Sequence, residues 1–440
     1  MLTSVVIVAA VALAIAGTYL YRQYASAGAH RVFISQAAQA DCKPAVDSYM
    51  KSHAGSGLSY NERSKSAIIL DTAKAQGKQS IAVHPVPALT LNTGARRVVL
   101  RPATTYWLSF DGGDDTVAAL ERKLGSFYKE GRPTTLTAVG DIIPGRTVAK
   151  LMAQLGVSYP FTGIASTVKG ADVVYGNLEA PLSDRVKPPY KGMAFIAPST
   201  TVQGLKLLGV NIVSLANNHS TNFGLNALTD TMTNLRNTGI EYAGAGMNLA
   251  EARSPTIVVA GGTSFAFLDY NSIIGSLNAT TTKPGVSWIR MKPWSRDSAE
   301  DATMVCDAVR QAKAQGHFVV ACFHWSDEYK YAPSQSQRNM AHAACDAGAD
   351  LVIGSHPHIM QPIEFYNGKL IAYSLGNFIF DQVDPAYTKQ GVVMKCRYSG
   401  TALTALDLVP YVIQDWCRPV PATGAQGRAI LDQLLKISGM

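Results

Sequence analysis

From Thr134 onward, strand-like apolar runs repeatedly end in loops that carry a carboxylate, an amide or an imidazole. Leu136 to Gly140 reads as a buried strand, and Asp141 follows it. Asp172 to Gly176 repeats the pattern and leads into Asn177-Leu178-Glu179. Asn211 to Leu215 leads into Asn217-Asn218-His219. Phe318 to Phe323 stops at His324, and Leu351 to Gly354 stops before His356-Pro357-His358. Four of the nine histidines fall at these loops; His30, His53, His84, His317 and His342 are scattered.

Helical spacing fills the gaps between the strands. Val202, Leu205 and Leu208 share one face, with Gly209 as a stop. Leu225, Leu228, Met232 and Leu235 recur at three- and four-residue steps, and Gly239 ends them. Val305, Ala308, Val309 and Ala312 mark another helix, and Met340, Ala343, Ala344 and Ala347 a further one. Thr256 to Ala260 and Phe265 to Asp269 flank Gly261-Gly262, a hairpin signal. Leu370 to Ser374 is the last clear strand of this block. Strands alternating with helices predict an α/β fold rich in parallel sheet, and the hairpin predicts a mixed sheet or two sheets.

Ligand sites in such folds gather at the carboxyl ends of the strands. Taken singly, each polar residue has an ordinary explanation. Asp141 can cap a turn, Asn218 can form one, and a lone His324 is more often a satisfied polar residue than a ligand. Five such strand ends together are hard to assign to caps and turns. Imidazole, carboxylate and amide oxygen suit one or two divalent ions, with Mn, Fe or Zn the best matches. Two ions need a bridging ligand, and Glu179 is the natural candidate. No phosphate loop or nucleophile elbow competes with this reading.

Composition sets the wider bounds. Hydrophobic residues make up 47% and charged residues 16%, enough apolar content for a sizeable core. The net charge of +8 would suit an anionic partner, although no basic run stands out and scattered surface charge is the simpler reading. The six cysteines, Cys42, Cys306, Cys322, Cys345, Cys396 and Cys417, form no Cys-x-x-Cys pair. Cys322 reads as a core thiol, and a disulfide elsewhere stays open. Leu2 to Leu20 carries no charge, which predicts a membrane segment over residues 1–22. A retained single anchor is favoured, because no Lys or Arg precedes the run. Cleavage after Ala25-Ser26-Ala27 is the alternative. Arg22 and Arg31 alone would hold the bulk of the chain in the cytoplasm. Residues 23–132 show only a short strand at Arg97 to Leu100 and an amphipathic stretch near Val117 to Tyr128.

The motifs VGDIIPGR (139–146), GNLEAPLS (176–183), SLANNHSTNFG (214–224), GAGMNLAEARSP (244–255), HWSDEY (324–329), GADLVIGSHPHIMQPIE (348–364) and IAYSLGNFIFDQ (371–382) resemble, in order and spacing, the bacterial capsule-synthesis CapA family. Its relatives include PgsA-like proteins of poly-γ-glutamate synthesis. Weaker similarity runs through Leu408-Val409-Pro410 to a tail helix near Ile430 to Leu435. The resemblance implies a metallophosphatase-like four-layer sandwich of two mixed sheets flanked by helices. The resemblance does not cover the membrane segment (1–22) or the N-terminal region of unknown role (23–132); it implies a family domain (133–383), with C-terminal strands and a tail helix (384–440) completing that domain. It implies metal ligands at Asp141, Glu179, Asn218, His324, His356 and His358, and a catalytic His219 that protonates the leaving group.

The chain departs from the wider phosphoesterase pattern at Ile143, where a metal-binding His is usual, and at Ser326, where Gly is usual. Glu328 is a candidate extra ligand, and Trp325 and Tyr329 are expected to wall the pocket. The leading functional expectation is a hydrolase that cleaves a phosphoester or amide bond through a metal-activated water. The alternative is a non-catalytic, membrane-anchored accessory subunit that binds or helps export an anionic polymer such as poly-γ-glutamate. Expected partners are that polymer, membrane-bound polymer synthase subunits and the membrane, with no nucleic acid. The expected location is the cell membrane, with the domain outside the cytoplasm, or secretion after signal cleavage.

Overall fold

The structure, a computed structural model, describes residues 133–185, 192–382 and 384–440 in full. Of the chain before residue 133 it describes only the backbone of seven strands. The leading apolar segment, Cys42 and the stretch near Val117 to Tyr128 lie outside the described residues. The expected strand near Arg97 is present as Arg97–Arg101. The sequence reading missed others, such as Gln79–Val86 and Thr104–Phe110, which pair antiparallel. Among the described residues no helix is long and apolar enough to cross a membrane. The chain forms two compact units, Met1–Leu89 with Val99–Gly131, and Thr90–Val98 with Arg132–Met440. The elements below belong to the second.

Its first sheet is parallel at one side and antiparallel at the other. β1 (Thr134–Ile142), β2 (Val173–Leu178), β3 (Ile212–Ser214) and β4 (Glu241–Ala243) run parallel as neighbours. The second sheet begins with the expected hairpin, β5 (Thr256–Ala260) and β6 (Thr263–Asn271). β7 (Phe318–His324), β8 (Leu351–Ser355) and β10 (Lys369–Ala372) follow β6 in parallel, and β9 (Ile363–Tyr366) closes that edge antiparallel. The chain then returns to the first sheet. β11 (Asn377–Ile379) pairs with the end of β1, and the long β12 (Gln390–Ser399) and β13 (Ala402–Gln414) extend the sheet antiparallel from β1. The fold is therefore α/β with two mixed sheets, as the sequence predicts.

Helices cover one face of each sheet because their apolar residues recur at helical steps. α1 (Arg146–Leu155), α2 (Val202–Leu207) and α3 (Leu225–Asn237) bury Val148, Leu205, Leu228 and Met232 against Val139 and Val213 of the first sheet. α4 (Ala299–Ala314) and α5 (Gln335–Ala347) bury Val305, Val309, Met340 and Ala344 against Val319, Ala321 and Val352 of the second. A capping box between Ser334 and Gln337 starts α5, and Ser298 caps α4. The other faces meet through aromatic rings. Tyr175 stacks on Phe267 at 5.5 Å, and Tyr398 meets Phe318 edge-on at 4.6 Å. The tail helix α6 (Gly424–Ile437) buries Ile430, Leu431 and Leu434.

Strand register lines up the polar ends. Asp141 lies opposite Asn177 and Asn377, and Asn177 opposite Ser214. In the second sheet Asn271, His324 and Ser355 stand side by side. Gly140 lets this happen. A Cβ there would stand 1.8 Å from the Gly376 carbonyl oxygen, which instead accepts the Asp141 N–H at 3.1 Å. The five described cysteines are free and buried, Cys322 among them.

Asp269 of β6 is a buried carboxylate away from those ends. Neither oxygen finds an aligned donor, and burial raises its pKa to about 6, with nearby Cys322 and Ser214 offsetting only part of the effect. The folded protein thus holds this proton more tightly than the unfolded chain. Its penalty is absent below about pH 4, grows through the window up to about pH 6 and then stays constant, at roughly 3 kcal/mol. Asp269→Asn is expected to raise stability in urea denaturation more at pH 8 than at pH 4. An equal change at both pH values would show that Asp269 does not titrate this way.

Candidate metal centre

The loops at the strand ends converge on one buried cluster. Asp141, Glu179, His324, His356 and His358 are all nearly inaccessible, and Asn218 is half-buried. Donor atoms of Asp141, Glu179 and His324 lie within 4.8 Å of one another, as do those of Glu179, His356 and His358. Glu179 belongs to both groups. His324 Nε2 stands 2.8 Å from Asn218 Oδ1 and 3.5 Å from Glu179 Oε1. All six expected ligands are thus brought together.

Amides orient this cluster. Asn177 Nδ2 donates to Asp141 Oδ1 at 2.9 Å and to Glu179 Oε2 at 3.1 Å, so one amide holds both carboxylates. Asn217 Nδ2 in turn donates to Asn177 Oδ1 at 3.0 Å and to the Leu178 carbonyl at 2.9 Å. His324 Nδ1 pairs with Ser355 Oγ at 2.9 Å, and His358 Nδ1 donates to Asn377 Oδ1 at 2.9 Å. The sequence reading passed over Asn177, Ser355 and Asn377. For Asn177 and Ser355 the available signal was position, since each stands at the end of a strand close to an expected ligand, whereas Asn377 comes next to Asp141 only through the pairing of β11 with β1.

The His-Pro-His loop is held in an unusual backbone. His356 has φ 95° and His358 φ 57°, left-handed settings that cost about 1–3 kcal/mol each for a non-glycine residue. His356 N–H points at Asp141 Oδ2, 3.4 Å away. Ser326, with φ 80°, also takes a left-handed setting, which explains why glycine suits that position.

The electrostatics of the cluster are unresolved without a cation. Burial and then the charge of Asp141 push the Glu179 pKa well up. Burial and then neighbouring imidazoles push those of His324 and His356 well down, which leaves neutral rings with lone pairs. Burial also opposes a charge on His358, but Asp141 and Glu179 outweigh it and raise the pKa to about 9. Glu179 Oε1 and both ring nitrogens of His356 are buried without a hydrogen-bond partner. Unpaired buried polar atoms cost about 1–3 kcal/mol each, and a divalent ion would satisfy the Glu179 oxygen together with the single lone pair of the neutral His356 ring. The residues therefore fit a metal ion, whose identity the donor set leaves among the borderline divalent metals.

His219 lies beside the cluster. Its Nδ1 donates to Asn222 Oδ1 at 2.9 Å, and the same oxygen accepts the Phe195 N–H at 2.8 Å. Burial lowers its pKa to about 4, against the pull of Asn222, so the ring is neutral near pH 7.

Two neighbours differ from expectation. Trp325 is fully buried in the helix-side core, stacked on Phe323 at 4.8 Å, and does not wall the pocket. Successive strand residues point to opposite faces, so the residue after His324 turns away from the site. Tyr329 does lie near it, with its ring 6.3 Å from His358. Glu328 is in neither donor group, although its charge acts on Glu179 and His358. Ile143, the departure noted in the sequence, is fully buried with Ala180, Phe195 and Phe380 in an apolar plug.

Residues 135–382 match the family described as bacterial capsule synthesis protein PGA_cap. The chain is 33% identical to the "Capsule biosynthesis protein CapA" of Bacillus anthracis, over 68% of this chain and 72% of that protein. It is 33% identical to the "PGA biosynthesis protein CapA" of Bacillus subtilis, over 68% of this chain and 77% of that one. A crystal structure of a hypothetical protein from Thermus thermophilus aligns with 64% of this chain and all of its own, at 14% identity and a TM-score of 0.40. The chain belongs to the bacterial capsule synthesis protein family.

Asn177→Ala should lower divalent metal affinity by about 10–100-fold, as loss of residues that orient ligands commonly does. Competition against a fluorescent chelator measures this, with circular dichroism to check the fold. An affinity equal to that of the natural chain would remove Asn177 from the metal centre.

Proposed function

We propose that this member of the capsule synthesis family is a metal-dependent hydrolase that acts on an acidic capsular polymer, poly-γ-glutamate or a phosphoester-containing equivalent. The observation that carries this reading is the set of orphaned lone pairs on Glu179 and His356, buried beside Asp141, His324 and His358. Glu179, Asn218, His324 and His356 would hold one divalent ion. Asp141 and His358 would hold a second, with Glu179 shared. A divalent ion there lowers the pKa of a water molecule and polarises a phosphoryl or carbonyl oxygen.

The chain's own residues do the rest. With Nδ1 donating to Asn222, His219 keeps Nε2 free to carry a proton. It takes one up as the anionic substrate offsets its burial and hands it to the departing oxygen or nitrogen. Asn177 fixes the two carboxylates, and the rigid His-Pro-His loop fixes the two imidazoles. We read the two sheets and their helices as the four-layer metallophosphatase sandwich. The apolar segment 1–22 would anchor the chain in the cell membrane beside polymer synthase subunits, with the domain outside the cytoplasm.

A second reading, a non-catalytic accessory subunit that binds or helps export the polymer, draws support from Ile143. Its plug with Ala180, Phe195 and Phe380 takes a ligand away from the Asp141 side and so weakens the case for two ions. One experiment separates the readings. The full-length protein is loaded with Mn(II) and assayed on a phosphoester and on a γ-glutamyl oligomer. His219→Ala is expected to lower kcat by about 10²–10⁴-fold with bound metal unchanged, and His324→Ala to lose metal as well. Metal binding without turnover of either substrate would remove the hydrolase reading and leave the accessory one.

A further inference from the structure

Arg146 is the first residue of α1, five positions after Asp141, and the metal centre does not use it. Its φ of 50° is a setting that a non-glycine residue keeps only where its surroundings fix it. Asp381, 9% exposed, does the fixing. Its Oδ1 accepts Arg146 Nε at 3.1 Å and also Nη2, and its Oδ2 accepts the Thr147 N–H at 3.0 Å.

The guanidinium also lies over two rings, 4.8 Å from the centre of Phe195 and 5.0 Å from that of Phe380. These rings are the ones that touch the site imidazoles. Phe195 meets His219 edge-on at 4.4 Å, and Phe380 lies 5.6 Å from His358. One aromatic pair thus links the guanidinium to both histidines, and the positive charge of Arg146 contributes to the depressed pKa of His219.

Asp381 occupies only one edge of the guanidinium. Nη1 has two long contacts on the exposed side, to the Gly192 carbonyl at 3.4 Å and to Met193 Sδ at 3.6 Å. The side chain is 22% exposed. A guanidinium positioned by a carboxylate on one edge and open on another presents its remaining N–H donors at low entropic cost. Such a fork matches a planar oxyanion.

We infer that Arg146 is the residue by which this site recognises its acidic substrate, gripping a carboxylate of the polymer next to the linkage presented to the metal centre. A γ-linked glutamate chain carries one free α-carboxylate per residue, beside each amide bond. This rests on the acidic-polymer reading above, but not on turnover. Arg146 would choose the substrate and place it, while His219 and the metal ligands face the reacting atoms.

The test is equilibrium binding by calorimetry to the full-length, Mn(II)-loaded protein. The probes are a γ-linked glutamate oligomer, a γ-linked glutamine oligomer of equal length and inorganic phosphate. The natural chain should bind the acidic oligomer at least about tenfold more tightly than the neutral one. Arg146→Lys keeps a cation opposite Asp381 but removes the fork. Arg146→Gln combined with Asp381→Asn leaves no unpaired buried charge. Both should lose that preference while metal content and binding of the neutral oligomer stay unchanged. A preference retained in either variant overturns the proposal, as does a natural chain that binds neither oligomer. Arg146-dependent binding of phosphate without binding of the acidic oligomer overturns the assignment to carboxylate. A protein that binds as expected but hydrolyses nothing leaves Arg146 in place and removes only the hydrolase reading.

Discussion

Asp141 and Glu179 are two buried carboxylates held by the same amide of Asn177. Taking one such charge out of water costs several kcal/mol even after relaxation. A hydrogen bond to a charged group returns about 1.5–3 kcal/mol. Asn177 therefore orients the carboxylates without neutralising them, and proton uptake by Glu179 and His358 is what compensates when no ion is bound. A divalent ion would compensate more completely, because it could also use the lone pairs of His324, His356 and Asn218. Much of the architecture serves that arrangement. Parallel register sets Asp141 against Asn177, the bare backbone of Gly140 lets Gly376 approach, and the left-handed His-Pro-His loop turns two imidazoles inward.

The two ends of the cluster are unequal. Around Glu179 the donors are dense, with Asn218, His324 and His356 close by. Two residues beyond Asp141, Ile143 is buried in hydrocarbon with Ala180, Phe195 and Phe380. That plug is not inert packing. Its rings, Phe195 and Phe380, touch His219, His358 and Arg146, so the groups proposed to move a proton and to grip an anion share one rigid support.

Much of this was legible in the sequence, for physical reasons. Apolar runs of strand length alternating with helical spacing pointed to the α/β class, and the polar residues just past those runs are the ones the fold brings into one cluster. The Gly261-Gly262 hairpin was readable because left-handed glycines leave a local mark. The long return strand β12, with its partner β13, was only partly readable, because its pairing with β1 more than two hundred residues earlier leaves no local signal. Asn177 and Asn377 were missed because an amide at a strand end looks like a turn former until its partners are known. Trp325 was misplaced because adjacency to His324 in sequence says nothing about which face of the strand a side chain takes.

The central claim is that the buried carboxylates exist to hold a divalent cation. Elemental analysis of the purified full-length protein, beside its Glu179→Gln variant, tests it most directly. The natural chain should retain at least one divalent ion per molecule through gel filtration, and the variant should lose most of it, because Glu179 belongs to both donor groups. A natural chain that emerges metal-free after exposure to Mn, Fe and Zn, or a variant that keeps its metal at the same occupancy, would contradict it.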